Sequence, residues 1–111
     1  RSKENISLMS SGLSEINQLK PSEFNFIGYT NKHSGFIAHE VQEVIPEAVF
    51  GDKDAVKTVT YLDENDQEQT KQENDLQLLS TEKLIPYLVK AVQELSAKNT
   101  DLENRIKTLE G

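Results

Sequence analysis

Few side chains in this sequence have the types and spacing that catalysis requires. The chain has no cysteine, and its two histidines are His33 and His39. His39 and Glu40 match the start of the zinc-binding motif His-Glu-x-x-His, but the second histidine is missing, so a helical pair of metal ligands cannot form. Neither histidine accompanies a recognisable nucleophile motif, and a glycine-rich phosphate loop is absent from the sequence. These residues predict an interaction or assembly module with no metal site and no cofactor.

Composition narrows the possible partners. The 111 residues carry 12 basic and 19 acidic side chains, for a net charge of −7. An acidic chain is a poor match for nucleic acid or an anionic membrane surface, so neither is expected as a partner. The sequence also lacks the run of about 18 apolar residues that a membrane span needs. The length fits one small domain, and a chain of this size gains stability from association.

The clearest element is the C-terminal segment, residues 85–111, which follows a heptad pattern. Seven of its eight a and d positions are aliphatic. The a positions are Ile85, Val92, Asn99 and Ile106, and the d positions are Leu88, Leu95, Leu102 and Leu109. Lys98 at g precedes Glu103 at e by five residues, the spacing of parallel neighbouring helices. The pattern predicts a parallel coiled coil, and the polar Asn99 at a favours two strands. An amphipathic helix packed on its own domain is the alternative.

The remaining residues, 1–84, predict a small α+β domain of short antiparallel strands and helices. Helical spacing of apolar residues predicts a short first helix, capped by Ser10 or Ser11, and a second helix that starts at His39. Alternation of apolar and polar residues predicts strands over residues 24–29 and 35–38.

An acidic stretch interrupts this domain and predicts an extended arm over about residues 51–76. Residues 56–62 alternate and are rich in β-branched side chains, as in a strand. Residues 63–75 carry six acidic side chains against Lys71 alone, with no large apolar residue. The stretch is either an exposed hairpin or a disordered loop, and a calcium loop is disfavoured because the EF-hand spacing is missing.

Four short motifs in one order resemble the C-terminal intramolecular chaperone domain of phage tailspikes, tail fibres and neck appendages, the self-cleaving peptidase S74 family. The motifs are Lys3-Glu-Asn-Ile6, the run 15–21 with Phe24 and Phe26 after it, residues 35–49 and residues 84–95. The resemblance implies a homotrimer, whereas the heptads alone favour a dimer. We follow the resemblance and expect the C-terminal helix to form a parallel trimeric coiled coil.

The resemblance also implies a catalytic Ser-Lys dyad. The family's N-terminal motif is Ser-Asp-x-Arg-x-Lys, and aligning it on Arg1 and Lys3 makes Lys3 the dyad base, with Arg1 as a supporting charge. The matching serine would lie three residues before Arg1, so we expect the printed chain to be inactive by itself. A lysine amine acts as a base only when it is neutral, which requires its pKa to be lowered from about 10.4 by burial or a neighbouring positive charge.

By this resemblance the chain is a chaperone that trimerises, assists folding of the upstream fibre or appendage portion of its own precursor, and is released by autoproteolysis. It would act in the host cytoplasm during phage assembly and be removed from the mature virion protein or be only loosely retained. Arms in the family are thought to hold the folding client, and the candidate contacts here are Asp63, Glu64, Asp66 and Glu68. Two alternatives are a plain coiled-coil oligomerisation module and the same self-cleaving module on a non-phage host protein.

Overall fold

The computed structural model describes residues 2–111, and these residues form a mixed fold of helices and short antiparallel strands. The helices are α1 (Leu13–Gln18), α2 (Ala38–Val44) and α3 (Ile85–Glu110), and 3-10 turns cover Pro46–Ala48 and Thr81–Leu84. The strands are β1 (Ser22–Phe24), β2 (His33–Gly35), β3 (Val49–Phe50), β4 (Val56–Leu62), β5 (Glu68–Asn74) and β6 (Leu78–Leu79). They pair as three antiparallel ladders, β1 with β2, β3 with β6 and β4 with β5. The mixed α and β architecture that the sequence predicted is therefore confirmed.

The core is small and is built around α2. Val41 in α2 and Ile45, which directly follows the helix, lie four residues apart and are each 1% exposed. They pack with Ala48 and Val49, which follow in the 3-10 turn and β3, and with Leu84, which lies directly before α3. Because the domain has so few buried side chains, each of them carries a large share of the folding free energy.

Three local predictions near the N-terminus were wrong. Neither Ser10 nor Ser11 caps α1; Gly12 is the N-cap residue, and the Ser11 hydroxyl instead donates to the Glu15 carboxylate at 2.8 Å. The strand predicted over residues 24–29 ends at Phe24, because the following residues form a turn in which the Tyr29 carbonyl accepts from the Asn25 side chain at 2.8 Å. The second strand, β2, covers His33–Gly35, so it starts two residues and ends three residues earlier than predicted.

α1 and the start of α3 are in close backbone contact. A Cβ atom on Gly12 would lie 2.7 Å from the Tyr87 carbonyl oxygen and 2.9 Å from the Ala91 amide nitrogen, so only glycine fits without movement. The Tyr87 hydroxyl donates to Glu47 at 2.9 Å. This hydrogen bond, together with burial and the nearby charges of Glu47 and Glu15, raises the pKa of Tyr87 above its ordinary value. Tyr87 and Ala91 therefore attach one face of α3 to the rest of the domain.

The helix α3 extends well beyond that attachment. Its 26 residues correspond to a length of about 39 Å at 1.5 Å per residue. The described residues span 87 Å along their longest axis, so the fold is elongated. None of the helices among residues 2–111 combines the length and apolar character needed to cross a membrane.

Candidate functional site

The heptad positions of α3 form an exposed apolar stripe, which we call the seam. Its seven aliphatic members range from 48% exposed at Leu88 to 87% exposed at Leu109. A different face of the helix packs on the domain, because the buried residue of α3 is Ala91, at a g position, which is only 3% exposed. Helix α3 thus does pack on its own domain, as the alternative interpretation required, but not through the a and d residues. The seam is available for contact with other helices.

The proposed dyad lysine lies near the N-terminus. Lys3 is exposed and belongs to an irregular segment that precedes α1. No ion pair found among residues 2–111 includes it. Two residues later, Asn5 has a left-handed backbone with φ of 55°, a conformation that asparagine tolerates better than most residues. The prediction that Arg1 supports the dyad lies outside the described residues.

The two histidines occupy separate environments and do not form a catalytic pair. The His33 ring lies in β2, with its centroid 5.4 Å from that of Phe26 and 6.5 Å from that of Phe24, so it packs in a small aromatic group. His39 is partly buried near the start of α2 and borders a polar cleft between α2 and the base of the arm. Within residues 2–111 no three side chains of the metal-ligating types come together as a candidate metal centre.

The acidic stretch folds as a hairpin, one of the two forms that the sequence allowed. β4 and β5 each have seven residues and pair over their full length, from Val56 opposite Asn74 to Leu62 opposite Glu68. The arm is mostly exposed on both faces. The sequence bounds for the first strand, residues 56–62, agree with those of β4.

One of the predicted client contacts has a structural role in the hairpin turn. Asp63 accepts hydrogen bonds from the backbone amides of Asn65 at 2.9 Å and Gln67 at 3.0 Å, and from the Gln69 side chain at 3.1 Å. The two backbone bonds, and to a smaller extent the side-chain bond, lower the pKa of Asp63 below its ordinary value. Asp66 closes the turn with a left-handed φ of 61°. The Asp63 carboxylate therefore organises the tip of the arm.

Charge is distributed unevenly over the arm. The other three predicted contacts, Glu64, Asp66 and Glu68, are exposed at or beside the tip. Lower on the stem the ammonium group of Lys71 lies 3.2 Å from the Glu73 carboxylate and 5.3 Å from the centre of the Tyr61 ring. Acidic side chains without an ion-pair partner among residues 2–111 therefore lie at the end of the arm.

Comparison with known proteins found a family match for the N-terminal part of the chain. Residues 1–50 match the Peptidase_S74 family model, which is described as a chaperone of endosialidase. Over these 50 of its 111 residues the chain is similar to the Peptidase S74 family. The S74 segment contains Lys3 and the elements from α1 to β3, whereas the arm and α3 follow it. The resemblance found in the sequence is therefore confirmed, and its description indicates a chaperone of the endosialidase type. No match to the chain is found among curated proteins.

An apolar cleft that the sequence did not predict lies beside the start of the seam. Leu8 and Met9 approach the first turns of α3 and border a cleft of about 480 Å³ together with Ile85, Pro86 and Val89. Leu8 is nevertheless 95% exposed. The available signal was the short apolar group Ile6, Leu8 and Met9 within the polar N-terminal segment, a group too short to establish a helical or strand period.

Proposed function

We propose that this chain is an intramolecular chaperone module that forms a homotrimer through α3, assists folding of the upstream portion of its own precursor, and is released by a Ser-Lys autoproteolytic step. The match of residues 1–50 to the Peptidase S74 family carries the proposal. By the resemblance, the client is a phage tailspike, tail fibre or neck appendage.

The exposed seam supports assembly through α3. Seven half-exposed or more exposed aliphatic side chains follow one heptad stripe, and a lone helix of this kind gains stability when the stripe is buried against copies of itself. Three copies joined in register at one end lower the entropic cost of bringing three long β-rich chains together, because non-local strand pairing is the slow step in their folding. Trimerisation is thus useful to the client before cleavage.

The proposed Ser-Lys dyad would release the chaperone from its precursor. On the alignment, Lys3 takes the proton from the hydroxyl of a serine upstream of Arg1, and the peptide bond on the N-terminal side of that serine is cut. In the single chain Lys3 is exposed. Burial in the assembled trimer would favour its neutral form, so we propose that cleavage follows assembly. Removal of the chaperone leaves a product whose persistence depends on a high unfolding barrier.

The acidic tip of the arm is the proposed client contact. Glu64, Asp66 and Glu68 are exposed there, and weakly held, solvated charges suit contacts that must be released. Asp63 would act indirectly by holding the turn.

A plain oligomerisation tag is the second candidate, because the seam alone supports association. The two functions are separated by replacing residues 1–111 in the precursor with an unrelated parallel trimeric coiled coil and measuring the yield of soluble, protease-resistant trimer. The chaperone proposal predicts a large loss of native client. A yield equal to that of the natural precursor would show that any trimeric tag suffices, and would contradict it.

A further inference from the structure

The seam has one polar member, Asn99, among seven aliphatic a and d residues. Its side chain lies among theirs, because Val92, Leu95 and Asn99 line one shallow recess in the exposed face of α3. In the single chain the Asn99 amide donates to the Glu103 carboxylate at 3.4 Å, which is long for a hydrogen bond. Burial of the seam would therefore take a polar group from water and require a partner for it in another copy.

The partner that Asn99 meets depends on how two α3 helices are aligned. In a parallel, in-register pair each a residue faces the same a residue of its neighbour, so two Asn99 amides meet and can hydrogen-bond to each other. In an antiparallel pair a residues face d residues, and full overlap sets Ile85 against Leu109 and Asn99 against Leu95. A parallel pair shifted by one heptad also sets Asn99 against an aliphatic residue. Each of these other alignments leaves two buried amides without a partner.

The charged residues beside the seam favour the same alignment. Lys98 and Arg105 lie at g positions. Glu103 and Glu110 follow them by five residues at e positions, so parallel, in-register helices bring opposite charges together. Antiparallel helices bring g beside g, which sets Lys98 near Lys98 of the other copy. These side chains are exposed, and Arg105 already pairs with Asp101 at 3.2 Å, so the charges select less strongly than the buried amide.

We propose that Asn99 selects the alignment of the assembly: it weakens the association of α3 with itself and admits parallel, in-register copies in preference to all others. The inference rests on the proposed assembly through α3 and assigns the choice of alignment to one residue. Tyr87 and Ala91 attach each domain to its own α3. Aligned helices therefore bring the N-terminal ends of the copies to one level, and the upstream portions of the precursor leave the assembly in register.

Disulfide exchange in a glutathione redox buffer measures the alignment, because the chain has no natural cysteine. Isotopically labelled Leu88→Cys chains are mixed with unlabelled Ile106→Cys chains, and the linked pairs are identified by intact mass. Parallel, in-register helices link Leu88→Cys chains to one another. Antiparallel helices link them to Ile106→Cys chains, since these two positions face each other on full overlap.

The exchange is compared in the natural chain, in Asn99→Ile and in the matched control Asn104→Ile, which makes the same replacement at an exposed f position of α3. We expect Asn99→Ile to raise the ratio of mixed to like-with-like links by about tenfold or more, and Asn104→Ile to leave it unchanged. Sedimentation equilibrium of the chains without added cysteine should show a lower dissociation constant for Asn99→Ile, because an aliphatic residue is buried without the loss of an amide from water. Selectivity and affinity then change in opposite directions.

The outcomes separate the role of Asn99 from the assembly on which it rests. If Asn99→Ile forms mixed links no more often than Asn104→Ile, or assembles more weakly than the natural chain, the selective role is overturned and assembly through α3 stands. Mixed links that are as frequent as like-with-like links in the natural chain overturn both the selection and the parallel arrangement. A chain that stays monomeric at all concentrations overturns the proposed assembly and the inference together.

Discussion

Shortening Leu95, in the middle of the seam, should weaken assembly by an amount that follows from the exposure of its side chain in the single chain. Full burial of a leucine side chain contributes about 1.5–3 kcal/mol. Leu95 is 52% exposed in the single chain, so assembly has about half of that contribution left to gain, or about 1 kcal/mol per copy. Over the three copies of the proposed trimer, Leu95→Ala should cost about 3 kcal/mol, which is about a 100-fold rise in its dissociation constant.

Sedimentation equilibrium over a wide concentration range measures this shift. Alanine has the highest helix propensity, so weaker association cannot be attributed to loss of helix in α3. Lys107→Ala is the matched control, because it makes the same replacement at an exposed b position of the same helix. If Leu95→Ala and Lys107→Ala assemble alike, the a and d residues are not the interface and the reasoning from the heptads is refuted.

Three further predictions concern the fold that supports the seam and the arm. Ile45→Ala should destabilise the domain by about 2–5 kcal/mol, because Ile45 is 1% exposed in a small core. Urea denaturation measures this change in the free energy of unfolding. A loss below about 1 kcal/mol would contradict the packing of Ile45. Gly12→Ala should also destabilise the domain, since its Cβ would lie 2.7 Å from the Tyr87 carbonyl, and an unchanged thermal midpoint would exclude that close contact. Acidification should loosen the arm tip: the lowered pKa of Asp63 means that its stabilising effect is fully present above the ordinary value of 3.8 and is lost as the pH falls through the lower folded value. In the natural chain the NMR shifts of the turn amides should change with pH along that titration. In Asp63→Asn this change should be absent, and its persistence there would contradict the role of Asp63.

The elements that local pattern predicts well are those whose neighbours lie close in sequence. Residues 56–62 form β4 as predicted, because alternation and β-branched side chains suit a strand that pairs with the next segment of the chain. Helix α3 starts at Ile85, with Pro86 in its first turn, where a missing amide hydrogen costs no hydrogen bond.

The errors arose where distant or side-chain contacts override local pattern. The alternation from Phe24 onward suggested a strand, but a hydrogen bond from the Asn25 side chain to the Tyr29 carbonyl closes a turn over residues 25–29. The start of α1 is determined by the backbone of α3, which leaves room for Gly12 and not for a larger residue. No local sequence pattern reports an approach between segments about 75 residues apart.

For the candidate site, the sequence was informative about residue types and less so about their roles. The heptads identified a stripe that the domain leaves exposed, and the motifs around Lys3 led to the family that matches residues 1–50. The acidic run identified the arm, but nothing in its composition distinguished Asp63, which holds the turn, from the freely exposed Glu64. That distinction depends on hydrogen-bond geometry.

The most direct test of self-processing is the intact mass of a precursor that includes the native residues before Arg1, expressed alongside Lys3→Ala and the control Lys32→Ala, which removes another exposed lysine. We predict cleavage three residues before Arg1 in the natural precursor and in Lys32→Ala, and an uncut but assembled Lys3→Ala. Equal cleavage in all three, or an uncut natural precursor, would contradict the role assigned to Lys3.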